Sequence, residues 1–131
     1  MNEINFTKLT AAGNDFVLID KELNNNISLS SELIKAICDR RYGIGADGIL
    51  TIDNCDLSDF RMEYFNADGS AGMLCGNGAR SIIKYAHNSG RLNSSSTEFT
   101  FQNQLFSGEV LEEGQIKFNL NKVFIELFQL D

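Results

Sequence analysis

Residues 75–90 read CGNGARSIIKYAHNSG and contain the most informative pattern for the fold. Apolar residues recur there at helical spacing and predict one buried helix face, made of Ala79, Ile82, Ile83 and Ala86. The helix is predicted to begin around Gly76 to Gly78, and Gly90 is a typical residue for its C-terminal stop. Cys75 therefore stands just before the start of a helix.

Strand-like segments lie on both sides of this helix. Ile4, Phe6 and Leu9 approach a period of two and predict a first strand. Further strands are predicted at residues 16–20, 48–53, 60–65, 98–101, 105–110 and 115–120, and the apolar tail 123–130 would suit another. Residues 112–114, Glu-Glu-Gly, are the expected hairpin turn between the strands predicted at 105–110 and 115–120.

A shorter helix is predicted between the second and third strands. Ser30 is the expected N-cap, and Glu32 suits the first turn because the helix dipole favours negative charge there. The buried face is predicted to contain Leu33, Ile34, Ile37 and Cys38. Arg40 and Arg41 are placed in the last turn, with Gly43 ending the helix. Strands outnumber helices, which favours an α+β fold with a mixed or largely antiparallel sheet wrapped on a helix.

Length and charge limit the possible functions. The 131 residues suffice for a single domain, residues 1–131, with no internal boundary. A net charge of −7 argues against nucleic acid or an anionic membrane as the main partner. The chain has no long apolar run, and its polar start is not a signal peptide, so we expect a cytoplasmic protein with free thiols.

The chemistry that the sequence favours is proton transfer by Cys75. The first N–H groups of a helix are unpaired and carry partial positive charge, which makes a thiol there more reactive and can hold a carboxylate. Gly76 and Gly78 leave room for a ligand, and Asn77 adds an amide that both donates and accepts. The alternative is that Cys75 is a buried structural cysteine that happens to precede a helix. The flanking glycines and amides favour the catalytic role.

Other cysteine chemistries fit the sequence less well. The single histidine, His87, is expected about three turns along the same helix, too far to act as a base for Cys75. The three cysteines are too widely spaced for a zinc site, and Cys38 is expected in the core. Residues 43–48 match the dinucleotide pattern G-x-G-x-x-G, but they follow a helix and open a strand, the reverse of that motif.

Four segments resemble the motifs of diaminopimelate epimerase, in that family's order and at similar spacing. They are residues 13–17 (GNDFV), 38–48 (CDRRYGIGADG), 65–70 (FNADGS) and 75–80 (CGNGAR), and the likeness extends from about residue 4 to about residue 121. Members of this family invert one α-carbon of LL-diaminopimelate to give the meso form, in lysine and peptidoglycan synthesis. The resemblance implies two cysteines on opposite faces of that carbon, without pyridoxal phosphate, any other cofactor or a metal.

The resemblance also implies site residues. Cys75 would be one catalytic cysteine, Asn14 and Asn66 would bind the amino-acid substrate, and Gly76 and Asn77 would contact its carboxylate. On the residues alone, turn chemistry explains Asn14 and Asn66 equally well. The family often has a substrate-contacting glutamine near position 48, where this chain has glycine, so that contact is not carried over to this chain.

The family fold has two similar halves related by a pseudo-twofold, each a barrel-like sheet around a central helix. This chain corresponds to the first half, and residues 119–123 lack the usual crossing to the second. We therefore expect the chain alone to be inactive, with the C-terminal half or a second copy of itself as partner. A non-catalytic truncated paralogue and a related racemase or isomerase of the same fold remain as alternatives.

Overall fold

The computed structural model describes residues 3–25 and 27–119, and within them the chain forms seven strands and two α-helices. The strands are β1 (Thr7–Ala11), β2 (Asn14–Asp20), β3 (Gly48–Asp53), β4 (Phe60–Asn66), β5 (Ser96–Phe101), β6 (Gln104–Val110) and β7 (Ile116–Asn119). The helices are α1 (Ser31–Cys38) and α2 (Gly76–Asn88). Single turns of 3-10 helix follow β2, at Lys21–Leu23, and β6, at Glu112–Gly114. No helix in these two described stretches is long and apolar enough to cross a membrane.

One sheet contains all seven of these strands in the order of the chain, from β1 to β7. The pairs β2–β3 and β4–β5 are parallel, and the other four are antiparallel. Parallel neighbours need a long crossover, and α1 and α2 lie in the two connections that provide it. The mixed sheet expected from the sequence is therefore a direct result of the two helices.

The sheet has a helix on each face. Side chains alternate along a strand, so Phe16 and Leu18 of β2 face α2, whereas Val17 and Ile19 pack with α1. The larger core lies around α2 and contains Phe16, Leu18, Leu50, Ile52, Phe60, Met62, Ala79, Ile82, Ile83, Ala86, Phe99 and Phe101. Phe60 and Phe99 stack there with ring centroids 5.1 Å apart.

The sheet curves around α2 to form half of a barrel, as the sequence predicted. Both edge strands, β1 and β7, contact this helix. In β6 the approach is so close that a Cβ at Gly108 would lie 2.6 Å from the Ile83 Cδ1 atom. Glycine at this position lets the sheet close onto the helix.

The predicted start of α1 is confirmed, and its predicted end is wrong. The Ser30 hydroxyl caps the helix by accepting the Leu33 N–H at 3.1 Å. The helix ends at Cys38 because Asp39 adopts an extended backbone and its carboxylate accepts the N–H groups of Arg41 and Tyr42, each at 2.8 Å. Arg40 and Arg41 therefore lie beyond the helix, in the loop that leads to β3.

Other predicted boundaries shift by a few residues. β1 begins at Thr7, and Ile4 instead packs against the core under α1. The first tight turn is Ala12–Gly13, where both residues have positive φ as a two-residue hairpin requires, so Asn14 is the first residue of β2. The predicted strand at 123–130, like residue 120, lies outside the described residues.

A buried ion pair fastens the far end of α2 to the sheet. Arg91, just after α2, donates to Asp20 at the end of β2 over 2.5 Å, and the Tyr85 hydroxyl donates to the same carboxylate at 2.9 Å. The side chains of Arg91 and Asp20 are only 11% and 7% exposed, so removing one partner leaves a buried charge uncompensated.

We predict that Arg91→Met lowers the free energy of unfolding by about 3–5 kcal/mol, measured by urea denaturation. The control is Arg61→Met, which breaks the exposed pair with Asp53, and it should cost less than about 1 kcal/mol. Equal losses in the two variants would contradict the structural role given to the Asp20 pair.

Candidate active site

The predicted site residues gather where three strands and one helix have their ends. β2 begins with Asn14, β3 begins with Gly48 and β4 ends with Asn66, and Gly48 pairs with both neighbouring strands. The N-terminus of α2 lies at the same end, because the Asn77 amide donates to the Asn14 side-chain oxygen at 2.6 Å. Residues 14, 66 and 75–77 therefore share one end of the sheet.

Cys75 is the N-cap of α2, as its place in the sequence predicted. Its backbone is extended, and its sulfur accepts the Gly78 N–H at 3.2 Å. The Cys75 side chain is half-buried and packs at the edge of the core around α2. Its sulfur, Leu50 and the Phe16 ring all lie next to Gly78, on the side where that residue would carry a Cβ. The sulfur is thus held at the helix N-terminus and is not packed deep in the interior.

The first turn of α2 keeps unused hydrogen-bond donors. The Cys75 sulfur and carbonyl take the N–H groups of Gly78 and Ala79, as a helix cap does. The N–H groups of Gly76 and Asn77 have no partner within residues 3–25 and 27–119. Such a pair of N–H groups at a helix N-terminus favours a carboxylate or another anion.

Asn77 and Asn14 are tied together, whereas Asn66 is held separately. Asn77 receives a hydrogen bond from the Arg80 guanidinium at 2.5 Å, and Asn14 donates to Asp47 at 3.2 Å. Asn66 donates instead to the Ser70 hydroxyl at 3.0 Å and closes the turn after β4 through its backbone. The structure places all three asparagines at one end of the sheet and joins two of them directly.

A compact group of charges holds the loop before β3 against the first hairpin. Arg40 makes two hydrogen bonds to the Asp15 carboxylate, at 2.8 and 3.0 Å, and one to Asp47 at 3.0 Å. Lys8 adds an ion pair to Asp15 at 3.1 Å. The bonded Arg40 guanidinium holds the pKa of the Asp15 carboxyl well below its usual range, and Asp15 in turn raises the pKa of Arg40.

Tyr64 fills the space next to Gly48. A Cβ at Gly48 would lie 2.5 Å from the Tyr64 ring and 3.1 Å from its hydroxyl, and a Cβ at Gly72 would be 2.5 Å from the ring's other edge. Burial raises the pKa of the Tyr64 hydroxyl, and the nearby Cys75 and Asp47 side chains add to that rise. The ring therefore takes up the volume that a longer side chain at position 48 would need.

The other two cysteines and the histidine lie elsewhere. Cys38 is buried on the α1 side of the sheet, and burial raises the pKa of its thiol. Cys55 follows the C-terminal end of β3, opposite Gly48, and a hydrogen bond with Ser58 lowers the pKa of its thiol. His87 is exposed in the last turn of α2, about 15 Å along the helix from Asn77.

Three residues of the site had no role in the sequence analysis. Arg80 contacts Asn77, and it is the only one of the three that lies close in sequence to its partner. Asp47 contacts Asn14, and Tyr64 lies against Gly48. An arginine three residues after Asn77 on one helix face could have suggested that contact. Among the residues that the structure describes, no three His, Cys, Asp or Glu side chains are grouped so that they could hold a metal ion.

Comparison with known proteins gives a consistent family. The family model of diaminopimelate epimerase matches residues 6–125. A diaminopimelate epimerase from Leptospira biflexa is 44% identical over 88 residues, which are 67% of this chain and 31% of that protein. One from Nitrosospira multiformis is 36% identical over 119 residues, 90% of this chain and 43% of that protein. The chain thus spans less than half the length of these relatives.

Solved structures with the same fold are more distant in sequence. A methylitaconate-delta-isomerase superposes with a TM-score of 0.67 at 14% identity, covering 86% of this chain and 35% of the other. A hydroxyproline epimerase from Agrobacterium vitis gives 0.57 at 14% identity, over 88% and 40%. A PhzF-family phenazine biosynthesis protein from Bacillus anthracis gives 0.58 at 21% identity, over 86% and 37%. These likenesses establish the fold.

We predict that Asp15 makes stability depend on pH. The pKa of Asp15 is lower in the folded chain than the usual value of about 4. The ionised carboxylate therefore contributes fully to the free energy of unfolding above pH about 4, and this contribution is lost as the pH falls toward the folded pKa. Asp15→Asn should destabilise the chain at pH 6, and the difference from wild type should shrink by pH 3 in urea denaturation. In an Arg40→Met background this pH dependence should be weaker, and an unchanged dependence would contradict the assignment.

Proposed function

Because the chain belongs to the diaminopimelate epimerase family, we propose that it takes part in inverting one α-carbon of diaminopimelate, between the LL and meso forms. Cys75 is given the role of one of two acid/base residues, in a reaction that uses no cofactor and no metal. The observation that carries the proposal is the Cys75 sulfur at the N-terminus of α2, beside two N–H groups that have no partner among the described residues. A thiol suits this role because its ordinary pKa of about 8.5 lies near neutral pH.

In the proposed reaction the Cys75 thiolate removes the proton from the α-carbon. The electron pair of the broken C–H bond moves into the adjacent carboxylate, whose second oxygen becomes negatively charged. The N–H groups of Gly76 and Asn77 stabilise that charge as it develops. A second acid then delivers a proton to the opposite face of the carbon, which inverts the configuration, and in the reverse direction the two residues exchange roles.

The three asparagines are proposed to bind the amino-acid substrate. Asn77 and Asn14 are joined by a 2.6 Å hydrogen bond at the start of α2, which supports a shared role. Asn66 lies at the same end of the sheet, on the far side of Gly48. Together with Gly76 they form the set of substrate contacts that we propose for this chain.

Within the described residues of one copy, neither of the other two cysteines is placed to act as the second acid/base. Inversion needs a group on the face of the carbon opposite Cys75, but Cys38 is buried behind the sheet and Cys55 lies at its other end. We propose that residues 1–131 form one domain equivalent to the N-terminal half of the family fold. The second cysteine then comes from a C-terminal half, or from a second copy whose Cys75 faces the first across a twofold axis.

This assignment places the chain in amino-acid biosynthesis. The family relationship supports a role in making meso-diaminopimelate for lysine and peptidoglycan in the cytoplasm. The fold is shared with a hydroxyproline epimerase and with a methylitaconate-delta-isomerase, so a related racemase or isomerase is the second candidate. The residues around Cys75 favour diaminopimelate as the substrate. Hydrogen exchange measured with diaminopimelate, L-proline and trans-4-hydroxy-L-proline distinguishes the two candidates.

We predict Cys75-dependent exchange of the α-hydrogen of diaminopimelate in deuterium oxide, measured by proton NMR. The chain alone should give no exchange as a monomer, and the chain mixed with the C-terminal half of the Leptospira biflexa relative should give it. The mixture should not act on L-proline or trans-4-hydroxy-L-proline. Exchange of those substrates instead would favour the second candidate.

The controls separate chemistry from folding. Cys75→Ser keeps an N-cap for α2 but is a far weaker acid/base, so exchange should fall by about a thousandfold or more at unchanged stability. Cys55→Ala is the matched cysteine control and should keep full activity. Exchange that survives Cys75→Ser would overturn the role of Cys75, and a strictly monomeric chain in analytical ultracentrifugation would overturn the self-association route.

A further inference from the structure

Two asparagines of the proposed site form the middle of a hydrogen-bonded row with a single direction. Arg80 donates to the Asn77 oxygen at 2.5 Å, and the Asn77 nitrogen donates to the Asn14 oxygen at 2.6 Å. The Asn14 nitrogen then donates to Asp47 at 3.2 Å. Each link joins a donor to an acceptor in the same sense, from α2 to the loop before β3.

The direction of this row is set at its two ends. A side-chain amide can turn over by 180°, exchanging its oxygen and nitrogen, so the two asparagines alone would allow either direction. A guanidinium has donors only, and a carboxylate has acceptors only. Arg80 therefore requires the Asn77 oxygen to face it, and Asp47 requires the Asn14 nitrogen to face it.

Asp47 is itself held in place, and Arg80 lies close to the helix start. Arg80 is one helical turn after Asn77 and folds back over the first turn, where a Cβ at Gly76 would be 2.9 Å from its Nη1 atom. Asp47 accepts hydrogen bonds from Arg40 at 3.0 Å and from the Asp15 N–H at 3.1 Å. The Asp47 carboxylate can leave the Asn14 amide only by breaking these contacts.

We infer that Arg80 and Asp47 are positioning residues that turn the Asn77 and Asn14 amides so that both present N–H donors to the substrate. Each amide oxygen already accepts one hydrogen bond in the row, while each NH₂ group keeps one hydrogen for a ligand. Together with the N–H groups of Gly76 and Asn77, which have no partner within residues 3–25 and 27–119, this edge of the site offers several donors to a carboxylate. It favours the carboxylate of an amino acid over its ammonium group, a refinement that rests on the proposed function.

The test compares the single variants Arg80→Gln and Asp47→Asn with the double variant Arg80→Gln/Asp47→Asn in the folded chain. Each substitution replaces a group that only donates or only accepts with an amide that can do both, so the remaining end still sets the direction in a single variant, and only the double variant releases it. The direction is read by NMR from scalar couplings across the hydrogen bonds, from the Asn77 side-chain nitrogen to the Asn14 side-chain carbonyl carbon and from the Asn14 nitrogen to the Asp47 carboxyl carbon. Binding is read by titration with pimelate, a dicarboxylate without amines, and with cadaverine, a diamine without carboxylates.

We expect both couplings, and a shift of the Asn77 side-chain N–H signals with pimelate but not with cadaverine, in the wild type. The coupling between Asn77 and Asn14 should survive in each single variant, whereas the double variant should lose it and bind pimelate about tenfold more weakly, the effect of one misdirected hydrogen bond. A coupling unchanged in the double variant, a coupling already lost in a single variant, couplings in the reverse direction, or a response to cadaverine would overturn the inference. If the double variant does not fold, the couplings and the two titrations of the wild type still decide the inference.

These measurements do not depend on turnover. If the mixture with the relative's C-terminal half shows no Cys75-dependent exchange while the couplings and pimelate binding behave as expected, the proposed reaction fails and the positioning role stands. If exchange occurs and the couplings are absent from the wild type, the positioning role fails alone.

Discussion

Helix α2 lies in the concave face of the sheet, and the burial of its apolar side determines where everything else is placed. Ala79, Ile82, Ile83 and Ala86 are fully buried against side chains of β2 to β5. At roughly 25 cal/mol for each Å² of apolar surface removed from water, this interface is the main stabilising contact of the fold. Since the helix cannot turn or slide without exposing these residues, its first turn is fixed relative to the ends of β2, β3 and β4.

The position of the helix has a direct consequence for Cys75. An N-cap is most often Ser, Thr, Asp or Asn, whose oxygen accepts an N–H of the first turn. Here a sulfur takes that place and accepts the Gly78 N–H at 3.2 Å. A thiol is a weaker acceptor than a hydroxyl, and its use at this position is consistent with a chemical role that serine could not fill.

The two ends of α2 are fastened by different kinds of contact. At the C-terminal end, a buried pair between Arg91 and Asp20 is largely shielded from water. At the N-terminal end, a half-exposed network runs from Arg80 through two asparagines to Asp47 and Arg40. The first contact fixes the helix, and the second surrounds the proposed substrate-binding groups, so the buried ion pair and the proposed site lie at opposite ends of one element.

Most elements, and the thiol at the start of α2, could be predicted from the amino-acid sequence. Helix caps and alternating apolar residues act over three or four positions, so Ser30, Cys75 and the strand periodicity could be interpreted from neighbouring residues alone. The true end of α1 at Cys38 was missed because the Asp39 side chain competes with the helix for N–H groups, a choice that spacing does not reveal. The contacts of Asn77 with Asn14, 63 residues away, and of Asn14 with Asp47, 33 residues away, became visible only in the folded chain. Those contacts require β2, β3 and α2 to be brought to one end of the sheet, which packing around the helix achieves and no local pattern encodes.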